Sequence, residues 1–183
     1  MCIRDRSYTY RYDNLLLTVT DPGNDVYTCT YDFLGRCTQI VYPDSSLVSY
    51  SYDYTNNRTT FTNGRGFDKI FWYDWLNRLI KVEEEYAESS FAVTIYQYDE
   101  IGHMTSFTDA KNHSTSFSYA SFFGLTGIMY PDSSYEQYQY GNAGNIVFFT
   151  DANGNETSYM YDSLYRLTQI QYQDQSSISF IYN

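Results

Sequence analysis

The sequence contains few of the residues that make up common functional sites. Its three cysteines, Cys2, Cys29 and Cys37, form neither a C-x-x-C pair nor an even-numbered set, so their spacing indicates no zinc site and no disulfide framework. With 11 Lys and Arg against 22 Asp and Glu, the net charge of −11 argues against nucleic acid or an anionic membrane as a partner. No apolar run approaches the roughly 18 residues that cross a bilayer. We therefore predict no cofactor, no metal and no membrane insertion by this segment, and the redox state of Cys29 and Cys37 stays open.

Proline and glycine are also scarce, at 3 and 10 residues, whereas Tyr and Phe supply 23 and 12 of the 183 positions. An aromatic share of 20% favours strands, because flat rings fit a pleated, half-buried surface. No stretch shows sustained helical periodicity. The composition therefore predicts an all-β protein.

A tyrosine, most often followed by Asp, recurs along the whole chain. The set is Tyr12, Tyr31, Tyr52, Tyr73, Tyr98, Tyr119, Tyr140, Tyr161 and Tyr182. The successive intervals are 19, 21, 21, 25, 21, 21, 21 and 21 residues. Self-similarity at a fixed period of this length is typical of a tandem repeat protein.

Two further columns of residues share this period. Two positions before each Tyr the residue is aromatic in eight of nine cases, and nine positions after the Tyr it is apolar in every 21- or 25-residue interval, as in Ile40. A spacing of two places side chains on the same face of a strand. Each repeat therefore holds two strands, the pattern of a β-hairpin. We expect five rings of the first column to stack on one face of adjoining hairpins, namely Tyr50, Phe71, Tyr96, Phe117 and Tyr138.

The segments between the strands carry turn residues of two kinds. One kind follows the Tyr-Asp pair, as at residues 32–36, and the other is Pro-Asp-Ser-Ser at 43–46 or Asp-Ala-Lys-Asn at 109–112. The Asp is expected to accept hydrogen bonds from backbone N–H groups two residues on. Tandem antiparallel hairpins joined by short turns are the predicted architecture.

The pattern Tyr-Asp-x-x-Gly-Arg-x-Thr resembles the YD repeats of the Rhs family. Residues 31–38 match it best, whereas Tyr165 and Asn77 stand where the family has Gly. The resemblance extends over essentially all of residues 8–183. It is carried by Tyr12, Tyr31, Asp32, Gly35, Arg36, Tyr52, Asp53, Tyr73, Asp74, Arg78, Tyr98, Asp99, Gly102, Tyr119, Tyr140, Tyr161, Asp162 and Arg166.

The resemblance implies a long antiparallel sheet that spirals into a hollow shell or barrel. In bacterial Rhs polymorphic toxins and toxin-complex C components, that shell encloses a C-terminal toxin domain. We therefore expect a non-catalytic structural segment, secreted or at a bacterial cell surface, whose partners are further YD repeats and the enclosed toxin of its own chain. The alternative is a teneurin-like or wall-associated recognition module that binds cell-surface glycans or proteins. The family's self-cleavage motif has no match here, so no proteolytic residue is carried over.

The two ends of the sequence predict its organisation. The first six residues, Met-Cys-Ile-Arg-Asp-Arg, resemble a translated sequencing adaptor, so residues 1–6 are expected to be an artefactual leader. Residues 7–183 then hold about eight repeats of about 21 residues, which we expect to be truncated at both ends.

Several residues could form a site, and each has a simpler structural interpretation. His103 and His113 are ten positions apart, and we interpret them as solvated turn residues rather than metal ligands. The series Asp151-x-Asn153-x-Asn155 resembles a calcium loop, but its Gly is at the fourth position instead of the sixth. We interpret it as a hairpin turn.

Two charged groups leave alternatives open. Arg36, Arg78 and Arg166 share one turn position, where they could form a row that binds a ligand, or could each pair with a repeat Asp or bond neighbouring carbonyls. The 25-residue interval carries an acidic insertion at residues 83–88, which could contact a partner. A solvated elongation of one hairpin is the favoured interpretation, because repeat arrays tolerate insertions in loops.

Overall fold

The computed structural model describes residues 6–121 and 124–183. Residues 1–5 of the expected leader, Cys2 among them, lie outside that part, and the artefactual leader stays a prediction. The regular elements of the described residues are all β-strands, and none is a helix of the length and apolarity that a membrane crossing needs. The strands are β1 (Ser7–Tyr10), β2 (Leu16–Thr20), β3 (Val26–Tyr31), β4 (Cys37–Val41), β5 (Leu47–Asp53), β6 (Arg58–Thr62), β7 (Asp68–Tyr73), β8 (Leu79–Ala87), β9 (Ser90–Tyr98), β10 (Met104–Thr108), β11 (Ser114–Ala120), β12 (Gly124–Met129), β13 (Tyr135–Tyr140), β14 (Ile146–Thr150), β15 (Glu156–Tyr161), β16 (Leu167–Tyr172) and β17 (Ser177–Ser179).

The chain divides into two compact units, Met1–Thr94 and Ile95–Asn183, and the boundary falls within β9. In the first unit, β1 to β8 form an antiparallel meander in which each strand pairs with the next in sequence. In the second unit, β9 to β17 pair in the same sequential way. The predicted all-β class and the tandem antiparallel hairpins are confirmed.

Turns of both kinds share one backbone geometry, with the turn at Asp53 an exception. At Asp32, the N–H of Asp32 donates to the carbonyl of Arg36 at 3.0 Å, the N–H of Gly35 donates to the carbonyl of Asp32 at 3.1 Å, and Gly35 has a φ of 78°. This is a type I turn followed by a left-handed residue, a favoured three-residue hairpin loop. The same two hydrogen bonds close the turns that begin at Arg11, Asp21, Tyr42, Asn63, Asp74, Asp99, Asp109, Tyr130, Gly141, Asp151, Asp162 and Tyr172.

The fourth residue of each of these turns takes the left-handed conformation, and Tyr165 does so with a φ of 60°. The left-handed conformation costs a residue other than Gly about 1–2 kcal/mol. Gly avoids this cost, but its greater conformational freedom in the unfolded chain offsets part of the gain. We expect Tyr165→Gly to raise the free energy of unfolding by about 1 kcal/mol, measured by thermal or urea unfolding. The control Tyr165→Ala keeps the unfavourable φ and should bring no gain. Equal stabilities of the Gly and Ala variants would contradict the assignment of strain to this residue.

The two faces of each meander differ in chemistry. Cys29 pairs with Ile40, which pairs with Val48, so these apolar side chains share one face. On the opposite face, Thr30 pairs with Gln39. Among the described residues, Cys29, at 9% exposure, is the one apolar side chain that is buried. Each meander is therefore a single layer whose faces both reach solvent, rather than a sandwich around a dry core.

The aromatic column lies on one face within each unit, but its rings stack on the neighbouring column instead of on one another. Tyr50 contacts Phe61, Tyr96 contacts Phe107 and Tyr138 contacts Phe149, with ring centroids 5.2, 5.6 and 5.0 Å apart. Phe71 is opposite Val82, and Phe117 is opposite Ile128. The register produces this pairing, because it places the residue two before each Tyr opposite the residue nine after it.

Candidate functional site

The repeated tyrosines connect successive hairpins through their hydroxyl groups. The hydroxyl of Tyr52 donates to the backbone carbonyl of Cys37 at 2.8 Å, and Cys37 lies opposite Tyr31 in the preceding hairpin. The same bond, always to the carbonyl 15 residues earlier, is made by Tyr31 to Leu16, Tyr119 to Met104, Tyr140 to Leu125, Tyr161 to Ile146 and Tyr182 to Leu167, at 2.6–2.9 Å. We call these six residues the tyrosine ladder. It joins one hairpin to the next with a repeated, side-chain-specific contact.

A β-bulge accompanies these carbonyls. Thr30 is opposite Gln39, but Tyr31 is opposite Cys37, so Thr38 is passed over in the register. A bulge interrupts the backbone hydrogen bonds between two strands and bends the bulged strand. At this bulge, the carbonyl of Cys37 accepts the hydrogen bond from the tyrosine hydroxyl of the next hairpin. Tyr98 is opposite Met104 beside a bulge of the same kind.

The hairpin that contains Asp53 is built differently. Its register has no bulge, and Asp53 lies directly opposite Arg58, because this turn is one residue longer than the others. Asn57 takes the left-handed conformation, and its side-chain amide donates to the carbonyls of Tyr73 and Asp74 at 2.9 and 2.5 Å. An asparagine amide thus supplies the link to the next hairpin at this repeat.

The structure identifies Tyr10, instead of Tyr12, as the first of the repeated tyrosines. Tyr10 is opposite Leu16 across a bulge, as Tyr31 is opposite Cys37, whereas Tyr12 lies in the turn between β1 and β2. The interval from Tyr10 to Tyr31 is 21 residues, so the first repeat has full length. The sequence assigned Tyr12 because Asp13 follows it, but here Asp13 is the third residue of the turn and pairs with Arg11.

The turn aspartates hold their loops through both carboxylate oxygens. Oδ1 of Asp32 accepts from the N–H groups of Leu34 and Arg36, both at 2.9 Å, and Oδ2 accepts from Nε of Arg36 at 2.7 Å. Desolvation acts to raise the pKa of Asp32, but the N–H and guanidinium of Arg36 outweigh it and lower the pKa. The same ion pair joins Asp74 to Arg78 and Asp162 to Arg166, and a longer one joins Asp53 to Arg58 at 3.1 Å.

At three of the Tyr-Asp turns, the side chain that pairs with the Asp also contacts an aromatic ring of the next repeat. The guanidinium of Arg36 lies 3.9 Å from the centroid of the Tyr52 ring, and that of Arg166 lies 4.5 Å from Tyr182. His103 bonds Asp99 and stacks on Tyr119 with centroids 4.4 Å apart. The spacing is 16 residues in each case, a signal present in the sequence that reasoning from single turns missed. These contacts place Arg36 and Arg166 in the joints between hairpins.

The other candidate groups lie in turns and strands. Nδ1 of His113 lies 3.1 Å from Asp109, and the amide of Asn155 donates to Asp151 at 2.8 Å, which closes the turn that resembled a calcium loop. Within residues 6–121 and 124–183, no three His, Cys, Asp or Glu side chains are grouped as metal ligands would be. Cys29 and Cys37 are free thiols, and burial raises the pKa of Cys37.

The acidic insertion is partly neutralised by lysines of β7 and β8. Glu83 accepts from the indole of Trp72 at 2.7 Å and from Lys81 at 3.0 Å, and Glu84 pairs with Lys69 at 3.1 Å. Glu83 and Glu84 belong to β8, which extends to Ala87, whereas Trp72 and Lys69 belong to β7. The insertion thus lengthens a strand instead of forming a separate loop.

Comparison with known proteins supports the fold. No family model matches the sequence. The crystal structure of TcdB2-TccC3-TEV contains a chain that aligns with 93% of this one at a TM-score of 0.72 and 13% identity. The crystal structure of TcdB2-TccC3 aligns with 95% at a TM-score of 0.58 and 16% identity. This chain spans about a tenth of the length of each of those chains. The resemblance noted from the repeat is confirmed at the level of the fold.

Proposed function

We propose that this chain is one segment of the wall of a hollow shell, which encloses a C-terminal toxin domain of the same protein and is itself not catalytic. The observation that carries the proposal is the single-layer construction. Both faces of each meander reach solvent, and a recurring tyrosine joint connects successive hairpins. Such a layer separates two spaces, whereas a globular domain surrounds one core.

The repeated joint supports extension by further repeats of the same chain. Tyr182 follows β17 and already donates to Leu167, as the ladder tyrosines before it do to their own acceptors. Edge strands present unpaired backbone groups that invite another strand. Additional YD hairpins on β1 and β17 would satisfy those groups and lengthen the wall.

The fold likeness supports a large parent protein of toxin-complex type. The two aligned chains belong to TcdB2-TccC3 assemblies and are about ten times as long as this segment. A bacterial protein, secreted or at the cell surface, is the proposed setting. The charged groups support a structural role, because Asp32, Asp74 and Asp162 each use both carboxylate oxygens to brace a turn.

A recognition role has its own support in the aromatic side chains exposed at turn tips of the first unit. It is compatible with a wall, since a shell has an outer surface.

Electron cryomicroscopy of the complete parent protein tests the proposal. We expect a closed shell in which this segment forms consecutive hairpins of the wall, with density for a further domain in the interior. A parent in which these hairpins pack against a second layer, leaving no enclosed space, would contradict it.

A further inference from the structure

One repeat interrupts the tyrosine ladder and leaves a phenol hydroxyl unused. The 15-residue spacing of the ladder assigns Tyr73 to the carbonyl of Arg58, but Arg58 lies opposite Asp53 in a strand pair without a bulge. Asn57 makes this joint instead, through the carbonyls of Tyr73 and Asp74. The hydroxyl of Tyr73 therefore has no hydrogen-bond partner among residues 6–121 and 124–183, and it reaches solvent.

A cavity of about 380 Å³ opens at the interrupted joint. Its wall includes Tyr52, Tyr54 and Tyr73 together with Arg36 and Arg58, all of which belong to the first unit. The volume lies in the range of small-ligand sites, and a wall of aromatic residues with a few polar groups is typical of them.

The guanidinium of Arg36 is fixed on one side of this cavity. Its Nε donates to Asp32 at 2.7 Å. The group also lies 3.9 Å from the ring centroid of Tyr52 and 4.7 Å from that of Tyr54. Because one carboxylate and two rings already set its orientation, little conformational entropy is lost when a ligand binds beside it.

The guanidinium of Arg58 supplies free donors. Its Nε donates to Asp53 at 3.1 Å, and the group lies 5.2 Å from the centroid of the Trp72 ring. Its two Nη groups bond no other residue in the part of the chain that the structure describes. The Arg58 side chain is 36% exposed, so its charge is screened less than that of a fully exposed arginine.

The unused polar groups around the cavity are mainly donors. They are the Nη groups of Arg58, the hydroxyl of Tyr73 and the side-chain amide of Asn77, which bonds no other described residue. The carboxylates of Asp32 and Asp53 balance the two arginines, so the cavity offers directed donors instead of excess positive charge. This combination favours a ligand that has several acceptor oxygens and a single negative charge.

We propose that this cavity binds a small organic monocarboxylate with a flat apolar body. The two oxygens of a carboxylate match the planar fork of a guanidinium, and a hydrogen bond to a charged group is stronger than a neutral one. The ring of Tyr54, which is 66% exposed, supplies an apolar face for the body of the ligand. This binding goes beyond the wall function and does not depend on what the wall encloses.

Other small ligands fit the cavity less well. A phosphate dianion would be repelled more strongly than a monoanion by a chain of net charge −11. An apolar molecule without an acceptor would cover the donors of Arg58 and Tyr73 and leave them unpaired, which costs free energy. A monocarboxylate avoids both costs.

Saturation-transfer NMR of benzoate with the 183-residue chain tests the proposal. We expect saturable binding of benzoate in the millimolar range, as suits a ligand of this size. Benzamide has the same shape without the charge, and inorganic phosphate has the charge without the ring. Each should bind at least about tenfold more weakly than benzoate.

Two variants locate the binding in the cavity. Arg58→Gln removes the guanidinium and should weaken benzoate binding about tenfold, and Tyr73→Phe should weaken it about fivefold. The second variant deletes only a hydroxyl that bonds no described residue, so it leaves the fold unchanged. The matched controls are Arg166→Gln, which removes the same kind of ion pair in the second unit, and Tyr86→Phe, which removes an exposed hydroxyl. Both should bind benzoate as the unchanged chain does.

Four results would overturn the proposal. They are no binding of benzoate at millimolar concentration, equal binding of benzamide, tighter binding of phosphate than of benzoate, and an unchanged benzoate affinity in Tyr73→Phe and in Arg58→Gln. None of them bears on enclosure of a toxin domain, so failure here is distinguishable from failure of the wall function.

Discussion

Removing five of the six hydroxyl groups of the tyrosine ladder should destabilise the chain by about 5 kcal/mol, because each bond is worth about 1 kcal/mol. The variant replaces Tyr31, Tyr52, Tyr119, Tyr140 and Tyr161 by Phe, which keeps every ring and deletes one donor at each joint. The five joints share no partners, so their contributions should add. Urea unfolding followed by circular dichroism measures the change, and each single variant should lose about 1 kcal/mol.

A matched control separates the ladder from the general loss of hydroxyl groups. It replaces five tyrosines of exposed positions by Phe, namely Tyr8, Tyr12, Tyr54, Tyr86 and Tyr165, which are 50–94% exposed. The control should unfold within about 0.5 kcal/mol of the unchanged chain, as surface substitutions usually do. Equal losses in the two sets would show that the ladder hydroxyls do not join the hairpins.

Acid should destabilise the fold steeply, because the turns depend on ionised aspartates. The N–H of His113 lowers the pKa of Asp109, the hydroxyl of Ser134 lowers that of Asp132, and the guanidinium of Arg11 lowers that of Asp13 to about 2. A carboxyl group whose pKa is lower in the folded state stabilises that state above its unfolded pKa of about 3.9, and the stabilisation is lost as pH falls through the folded pKa. We therefore expect constant turn stabilisation above about pH 5 and progressive loss from about pH 4 to pH 2.

Asparagine at two of these turns tests that origin of the acid effect. Asn63 shows that an amide oxygen can replace the carboxylate, since its Oδ1 accepts from the N–H groups of Arg65 and Phe67 at 2.9 and 3.1 Å. In Asp109→Asn/Asp132→Asn, the loss of unfolding free energy between pH 7 and pH 3 should be smaller than in the unchanged chain. An equal loss would assign the acid effect to overall charge instead of to the turns.

Much of the fold follows from the period alone. A 21-residue repeat with aromatic residues two positions apart allows one hairpin per repeat, and short turns make each strand pair with its sequence neighbour. The sequence pattern misaligns the first repeat, because Tyr12 is followed by Asp13 as Tyr31 is followed by Asp32. Only the strand register shows that Tyr10, opposite Leu16, is the equivalent residue. Local sequence could not distinguish a strand tyrosine from a turn tyrosine.

The joints between hairpins were harder to foresee. The bond from Tyr52 to the carbonyl of Cys37 depends on a bulge that shifts the register by one residue, and a bulge has no distinct residue type here. The contact of Arg36 with Tyr52 joins two repeats, whereas a single turn suggests only the pairing with Asp32. Both contacts recur at constant spacing, so comparing whole repeats would have revealed them.

Protease protection of the C-terminal domain in the complete parent protein tests the wall function most directly. We expect that this domain resists cleavage while the shell is folded and is cleaved once acid opens the shell, because the turns then lose their stabilisation. The same domain expressed alone is the reference for unprotected cleavage. Cleavage in the intact parent at the rate of the isolated domain would contradict the proposal that these hairpins enclose it.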